Sequence, residues 1–216
     1  KIIFVFRGGS VGRFAAIIVF MLFVFLPSNR SFVYAQEVQG TRFSSADFSK
    51  DGRSIIIGCK NGNIFLWDIE RRKVTNSAAH FEEADQTKLN EPVFPYYFGI
   101  IDIKVSPDGL FIASSSDRSN SLLLLECKSF KKIWEFTPSD TKLYEFDFSP
   151  NSKEILCGGN NGKVLFIDAQ TGQTRDEIGS NAVEEFVRVK YIPNSDKYIT
   201  ASNLENRLIS IWSLKN

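Results

Sequence analysis

One pattern is written four times along this chain, and it limits the fold more than any other property. The copies open at Asp47-Phe48-Ser49, Lys104-Val105-Ser106, Asp147-Phe148-Ser149 and Lys190-Tyr191-Ile192. Steps between the third residues of these openings are 57, 43 and 43. Within each copy, short runs of Ile, Val, Leu and Phe are bounded by Gly, Asn, Asp and Pro, which is the composition of strands separated by turns. A unit of roughly 40–45 residues cannot bury its own faces, so successive units must stack on one another.

Strands are expected in the first copy at 43–49, 54–59, 63–68 and, more weakly, 72–76. In the third copy they are expected at 143–149, 153–158, 163–168 and 173–178. Ser106-Pro107-Asp108-Gly109 and Ser149-Pro150-Asn151-Ser152 place Pro where a fixed backbone angle starts a turn. Asn61-Gly62 and Asn161-Gly162 have the chemistry of tight hairpins that need positive φ, and Asp168 to Gly172 closes a further hairpin. Four strands per unit at this period predict an all-β fold, a β-propeller of four-stranded antiparallel blades with about four blades visible. The blades fall near 41–78, 98–137, 141–179 and 184–216. Trp67 and Trp212 are expected to be buried third-strand residues between blades. Asp68, Asp102, Asp147 and Asp168 are expected to cap turns.

Trp67-Asp68 at the end of a third strand, with Phe166-Ile167-Asp168 and Ile211-Trp212-Ser213 as weakened forms, resembles the WD-repeat β-propeller family over residues 41–216. The resemblance implies a non-catalytic scaffold that presents loops to a protein or peptide partner. The chain departs from the family in lacking a Gly-His pair before each first strand, because His80 is its one histidine. The family's His-to-Asp network therefore cannot recur blade after blade. Residues 162–173 are also similar to repeats of extracytoplasmic quinoprotein-type propellers, which leaves open a part in a quinoprotein-type or hydrolase enzyme. The family usually closes with about seven blades, so the chain is expected to be part of a larger ring. The last copy ends on its third strand, and residues 32–39 or 36–42 are candidates for a missing fourth.

Residues 1–35 stand outside the repeats. Lys1, Arg7 and Arg13 precede the apolar run from Phe14 to Leu26, Pro27 ends it, and Val33-Tyr34-Ala35 follows. This three-part pattern predicts a secretory signal cleaved between Ala35 and Gln36. The alternative is an N-terminal membrane anchor, although the run falls short of the roughly 20 apolar residues of a spanning helix. The expected location is extracytoplasmic, secreted or periplasmic, or membrane-anchored, with membrane contact through this segment if it is uncleaved. An intracellular, cytoplasmic WD-repeat scaffold remains the reading if the segment is not a true signal.

With 26 basic and 25 acidic side chains the chain carries a formal charge of +1. Removing residues 1–35 leaves 22 basic against 25 acidic groups, or −3. No basic stripe is present, which argues against nucleic acid as a partner. Cys59, Cys127 and Cys157 form no C-x-x-C pair; Cys59 and Cys157 fall at equivalent second-strand places, and Cys127 is expected in a third strand. His80 has no nearby Ser-acid pair and no second His, so neither a triad nor a metal set is indicated. Glu82, Glu83 and Asp85 lack calcium-loop spacing, and Glu184-Glu185 reads as a solvated pair. The Gly158–Gly162 stretch opens no helix and cannot cradle phosphate. No catalytic residue, cofactor or metal is expected. The step between the first two copies carries about 14 extra residues, placed in an insertion loop at 80–97. Its Phe94, Tyr96 and Tyr97, spaced by Pro92 and Pro95, are the candidate partner-binding residues, because loop aromatics on a rigid scaffold make anchoring contacts.

Overall fold

A computed structural model describes residues 42–81, 99–179, 187–202 and 209–213. Fifteen strands are found there, grouped in four antiparallel sheets. Blade 1 contains β1 (Phe43–Phe48), β2 (Ser54–Cys59), β3 (Asn63–Asp68) and β4 (Lys73–Ala79). Blade 2 contains β5 (Ile100–Val105), β6 (Phe111–Ser116), β7 (Ser121–Glu126) and β8 (Lys132–Phe136). Blade 3 contains β9 (Leu143–Phe148), β10 (Glu154–Gly159), β11 (Lys163–Asp168) and β12 (Thr174–Gly179). Blade 4 has three strands among the described residues: β13 (Val187–Tyr191), β14 (Lys197–Ser202) and β15 (Ile209–Ser213). Every sheet runs in chain order, and the first strands of successive blades lie side by side.

A repeated turn sets this arrangement. Ser49 Oγ bonds to Asp51 and accepts from the Ser54 amide; Ser106 does the same with Asp108 and Phe111, and Ser149 with Asn151 and Glu154. Each hydroxyl thereby satisfies the backbone where the first strand folds back into the second. At Asn61-Gly62 and Asn161-Gly162 only the glycines take positive φ, at 90° and 74°. Asn61 instead accepts the Asn63 amide through its side chain.

The core lies between blades. Ile56 and Ile64 of blade 1 pack with Ile103, Ile112 and Leu123 of blade 2. Ala113, Leu122 and Leu124, on the other face of blade 2, meet Phe146, Ile155 and Leu165 of blade 3. Leu156 and Phe166 of blade 3 meet Val189, Tyr191 and Tyr198 of blade 4. Blades 3 and 4 approach closely: a Cβ at Gly158 would stand 2.0 Å from the Val187 carbonyl oxygen.

The structure corrects several expectations. The fourth strand of blade 1 runs on to Ala79, because its polar alternation is held by the ladder to β3 rather than by burial. Cys127 lies in the turn after β7, not in a strand, and is half-buried; none of the three cysteines is in a disulfide among the described residues. Trp67 is only half-buried, since it lies in register with Ile55 on the face of blade 1 turned away from blade 2. Trp212 is 43% exposed. It stacks on Tyr198 and donates to Thr200 at the edge of blade 4, where no fourth strand covers it among the described residues. The inter-blade tryptophan is Trp134 of β8, which packs against the core between blades 2 and 3 and donates to the Ala169 carbonyl at 3.0 Å.

Candidate protein-binding face

The connection from blade 1 to blade 2 begins at His80, directly after β4. His80 is 4% exposed and crosses to blade 2, where Nδ1 lies 2.7 Å from Ser114 Oγ and Nε2 lies 2.9 Å from Ser121 Oγ. Ser121 Oγ gives its proton to Glu135. It must therefore accept from His80, which puts the imidazole proton on Nε2 and makes Nδ1 the acceptor for Ser114. Burial holds the imidazole neutral, with a pKa lowered to about 4; attraction to Glu135 opposes this and Lys132 adds to it. Held between Ser114 and Ser121, His80 is a buried relay that joins two blades.

Phe81 follows, with its ring under the Arg118 guanidinium at 5.0 Å. The ring also closes over Gly62, where a Cβ would stand 2.8 Å away from it. The chain re-enters the described residues at Gly99, whose amide donates to Asp117 Oδ1 at 2.6 Å and whose carbonyl accepts from the Asp117 amide. Both ends of the 82–98 segment are thus fixed beside the turn that joins β6 to β7. Phe94, Tyr96, Tyr97, Glu82, Glu83 and Asp85 lie outside the described residues, as do Ala35, Gln36, Glu184 and Glu185.

Two of the four aspartates expected to cap turns, Asp102 and Asp147 of the first strands, have a different job. Asp68 and Asp168 do cap turns, through the amides of Arg71 and of Gln170 and Thr171. Asp147 does not. Its Oδ2 accepts the Tyr191 amide of blade 4 at 2.9 Å, while Oδ1 meets Lys104 and Lys190 at 3.3 and 3.2 Å. Asp47 accepts the Val105 amide of blade 2 at 2.8 Å, and Asp102 takes Ser45 Oγ of blade 1 at 3.0 Å. Lys104 also donates to the Phe146 carbonyl. Asp47, Lys104, Asp147 and Lys190 form a row of alternating charge along the first strands, which ties blade to blade.

Among the described residues no three His, Cys, Asp or Glu side chains are grouped as metal ligands. Burial pushes the Cys157 thiol well up, away from nucleophilic thiolate. Burial and the bond to Glu154 likewise keep Tyr191 protonated. On the opposite end of blade 2, a groove of about 530 Å³ is lined by Leu110, Phe111 and Ile133 together with Lys128, Lys131 and Lys132.

Residues 34–68 match the family described as "WD domain, G-beta repeat". The chain is 22% identical to WD repeat-containing protein 70 of Mus musculus and 23% identical to that of Homo sapiens, in each case over 60% of this chain and 26% of that protein. Its fold is similar to the β-propeller domain of Myceliophteria thermophila Cps50 (Swd1), with a TM-score of 0.65 and 12% identity over 81% of this chain and 52% of that one. The RRP9 WD40 repeats give 0.62 and 13% over 82% and 52%. The fold is that of a β-propeller, and residues 34–68 carry the match to a WD repeat. The chain spans about a quarter of the length of the curated relatives and about half of the solved propellers it matches. In the Trp-Asp dipeptide, Trp67-Asp68, it is Asp68 that caps the turn after β3, and His80 is the histidine that joins one blade to the next. No helix among the described residues is long and apolar enough to cross a membrane; the Phe14–Leu26 run lies outside them.

Proposed function

We propose that this β-propeller is a non-catalytic scaffold that captures a protein or peptide partner through the insertion between blades 1 and 2, with Phe94, Tyr96 and Tyr97 as the anchoring side chains. The observation that carries this reading is the fixing of both insertion ends, by His80 and Phe81 on one side and by the Gly99–Asp117 pair on the other. A rigid base lowers the ordering cost a loop meets on binding, and aromatic anchors supply contact area at low entropy cost. The near-neutral charge and the blade fold favour a polypeptide partner over a polyanion. Replacing Phe94, Tyr96 and Tyr97 together by Ala tests the reading: partner capture is lost and the melting curve is unchanged.

The scaffold is exported, or tethered to a membrane, by its N-terminal segment. The basic start, the apolar run of 13 residues and Val33-Tyr34-Ala35 support this. Mass spectrometry of the mature N-terminus reads the result. Gln36 as first residue means export, and a retained Phe14–Leu26 that resists extraction means a tether. A retained segment in freely soluble protein contradicts both.

A further inference from the structure

The end of blade 2 opposite His80 is built by two turns that are tied together. Ser106-Pro107-Asp108-Gly109 leads from β5 into β6, and residues 127–131 lead from β7 into β8. The Cys127 amide donates to the Leu110 carbonyl at 2.8 Å, which holds one turn against the other. Phe130 pins the second turn: it takes a left-handed φ of 59° and is buried in the core between blades 1 and 2. A bulky residue adopts that backbone only where its surroundings hold it there. Ser129 Oγ donates to Glu126 and accepts the Lys131 amide, and the Glu126 amide donates to the Lys131 carbonyl. Phe130 is thus turned inward while Lys128 and Lys131, close by in sequence, are both exposed.

The groove of about 530 Å³ at this end combines two chemistries. Leu110 and Ile133 line it with 55% and 41% of their surfaces exposed, and Phe111 lies half-buried beside them. Blades 1 and 3 pack on the two faces of blade 2, so these apolar side chains belong to an interior blade. Lys128, Lys131 and Lys132 line the same groove against one carboxylate, Glu126. Lys132 is paired with Glu135 at 2.6 Å, and the Ser129 hydroxyl occupies Glu126. Lys128 and Lys131 have no ion pair among the described residues. Lys50 of blade 1 adds a cation at the margin: a Cβ at Gly109 would stand 2.9 Å from the Lys50 Cβ, and its Nζ reaches the Asp108 carbonyl at 3.4 Å.

We infer that this groove takes a short acidic segment of a second polypeptide partner. One bulky apolar side chain of that segment lies against Leu110 and Ile133, and the carboxylates around it meet Lys128 and Lys131. The excess of cations selects a carboxylate-rich partner, and the exposed aliphatic surface favours one that brings an apolar side chain to cover it. Phe111 is the one aromatic ring in the lining, too little for the row of stacking rings on which a nucleic-acid strand is bound. Because both turns are already fixed, the groove loses little conformational freedom when it is filled.

The test is fluorescence anisotropy of a labelled peptide, Glu-Asp-Glu-Leu-Glu-Asp-Glu, titrated with the full chain. The peptide binds, and binding weakens as salt is raised. Replacing its Leu by Ser weakens binding roughly ten- to a hundredfold, the range for one buried aliphatic side chain. Lys128→Glu with Lys131→Glu in one protein weakens it at least about tenfold, and Leu110→Asp does the same; all three positions are exposed, and circular dichroism confirms the fold. The Phe94→Ala, Tyr96→Ala, Tyr97→Ala protein binds the peptide as the parent does, because the groove is separate from the insertion. A peptide that does not bind overturns the inference, as does one that binds equally with Ser in place of Leu or equally to the lysine variant. Loss of binding in the insertion variant would move the peptide to the insertion and overturn it too. So would a single-stranded oligonucleotide or a phosphatidylserine vesicle that binds more tightly than the peptide and is released by the same lysine reversals, which would assign the groove to a polyanion.

Discussion

Phe146→Ala lowers the stability of this β-propeller by about 3–5 kcal/mol, the range for emptying a fully buried aromatic site. Phe146 is 1% exposed in the core between blades 2 and 3. It meets Phe148 edge to face, and Lys104 lies 5.3 Å from its ring. Its loss opens a cavity that the tight strand pairing around it cannot fill. Trp67→Ala, by contrast, costs about 2 kcal/mol or less, because half-burial on a free blade face scales the loss down. Denaturant melts of the two variants check the order. Equal losses would mean that the free face of blade 1 is covered in solution, and a larger loss at Trp67 would contradict the placement of the core.

Acid is the second large lever. His80 titrates near 6.5 when unfolded and at about 4 when folded. Between those values the unfolded chain binds the proton that the native chain refuses, so stability is fully present above about pH 6.5 and drains away as pH falls toward 4. The full loss is about 3 kcal/mol, with roughly 2 already gone at pH 5. Protonation would also give Nδ1 a hydrogen, and Ser114 would then have to turn its own proton away from the ring. Glu135 contributes in a lower window. Burial opposes its ionisation, but bonds from Lys132 and Ser121 outweigh that and hold its carboxyl below the usual range. His80→Gln keeps a buried polar side chain without the titration, and flattens the slope between about pH 6.5 and pH 4.5. Thermal melts of parent and variant at matched pH decide it. A parent whose melting temperature does not change from about pH 7 to pH 5 would place His80 in contact with solvent.

The repeat was legible because blade strands carry dense Ile, Val, Leu and Phe at period two, and because Ser49, Ser106 and Ser149 mark the same turn each time. The end of β4 was harder to see. Asn76, Ser77, Ala78 and Ala79 make an outer strand held by backbone bonds to β3, and such a strand leaves little hydrophobic signal. The burial assigned to the Trp-Asp dipeptide was too general: Trp67 takes the register of Ile167, but no blade covers its face among the described residues. The links between blades depend on long-range partners. His80 finds Ser114 and Ser121 at separations of 34 and 41 residues, which no local pattern shows. One signal was available, since the four copies open Asp, Lys, Asp, Lys. That alternation is the charged row observed along the first strands, and it contradicts a turn-capping role for Asp147.

Under the proposed function the insertion, not the blades, captures the partner. The most direct test measures partner affinity and the melting curve on one preparation of the Phe94→Ala, Tyr96→Ala, Tyr97→Ala protein. Each aromatic anchor in a binding surface contributes about 2 kcal/mol or more, so the combined variant binds at least roughly a thousandfold more weakly. Its melt matches that of the parent, because the described cores between blades are formed by residues outside the insertion. Unchanged affinity would contradict the claim outright. A large fall in melting temperature would contradict it differently, by showing that these aromatics belong to the core of the propeller.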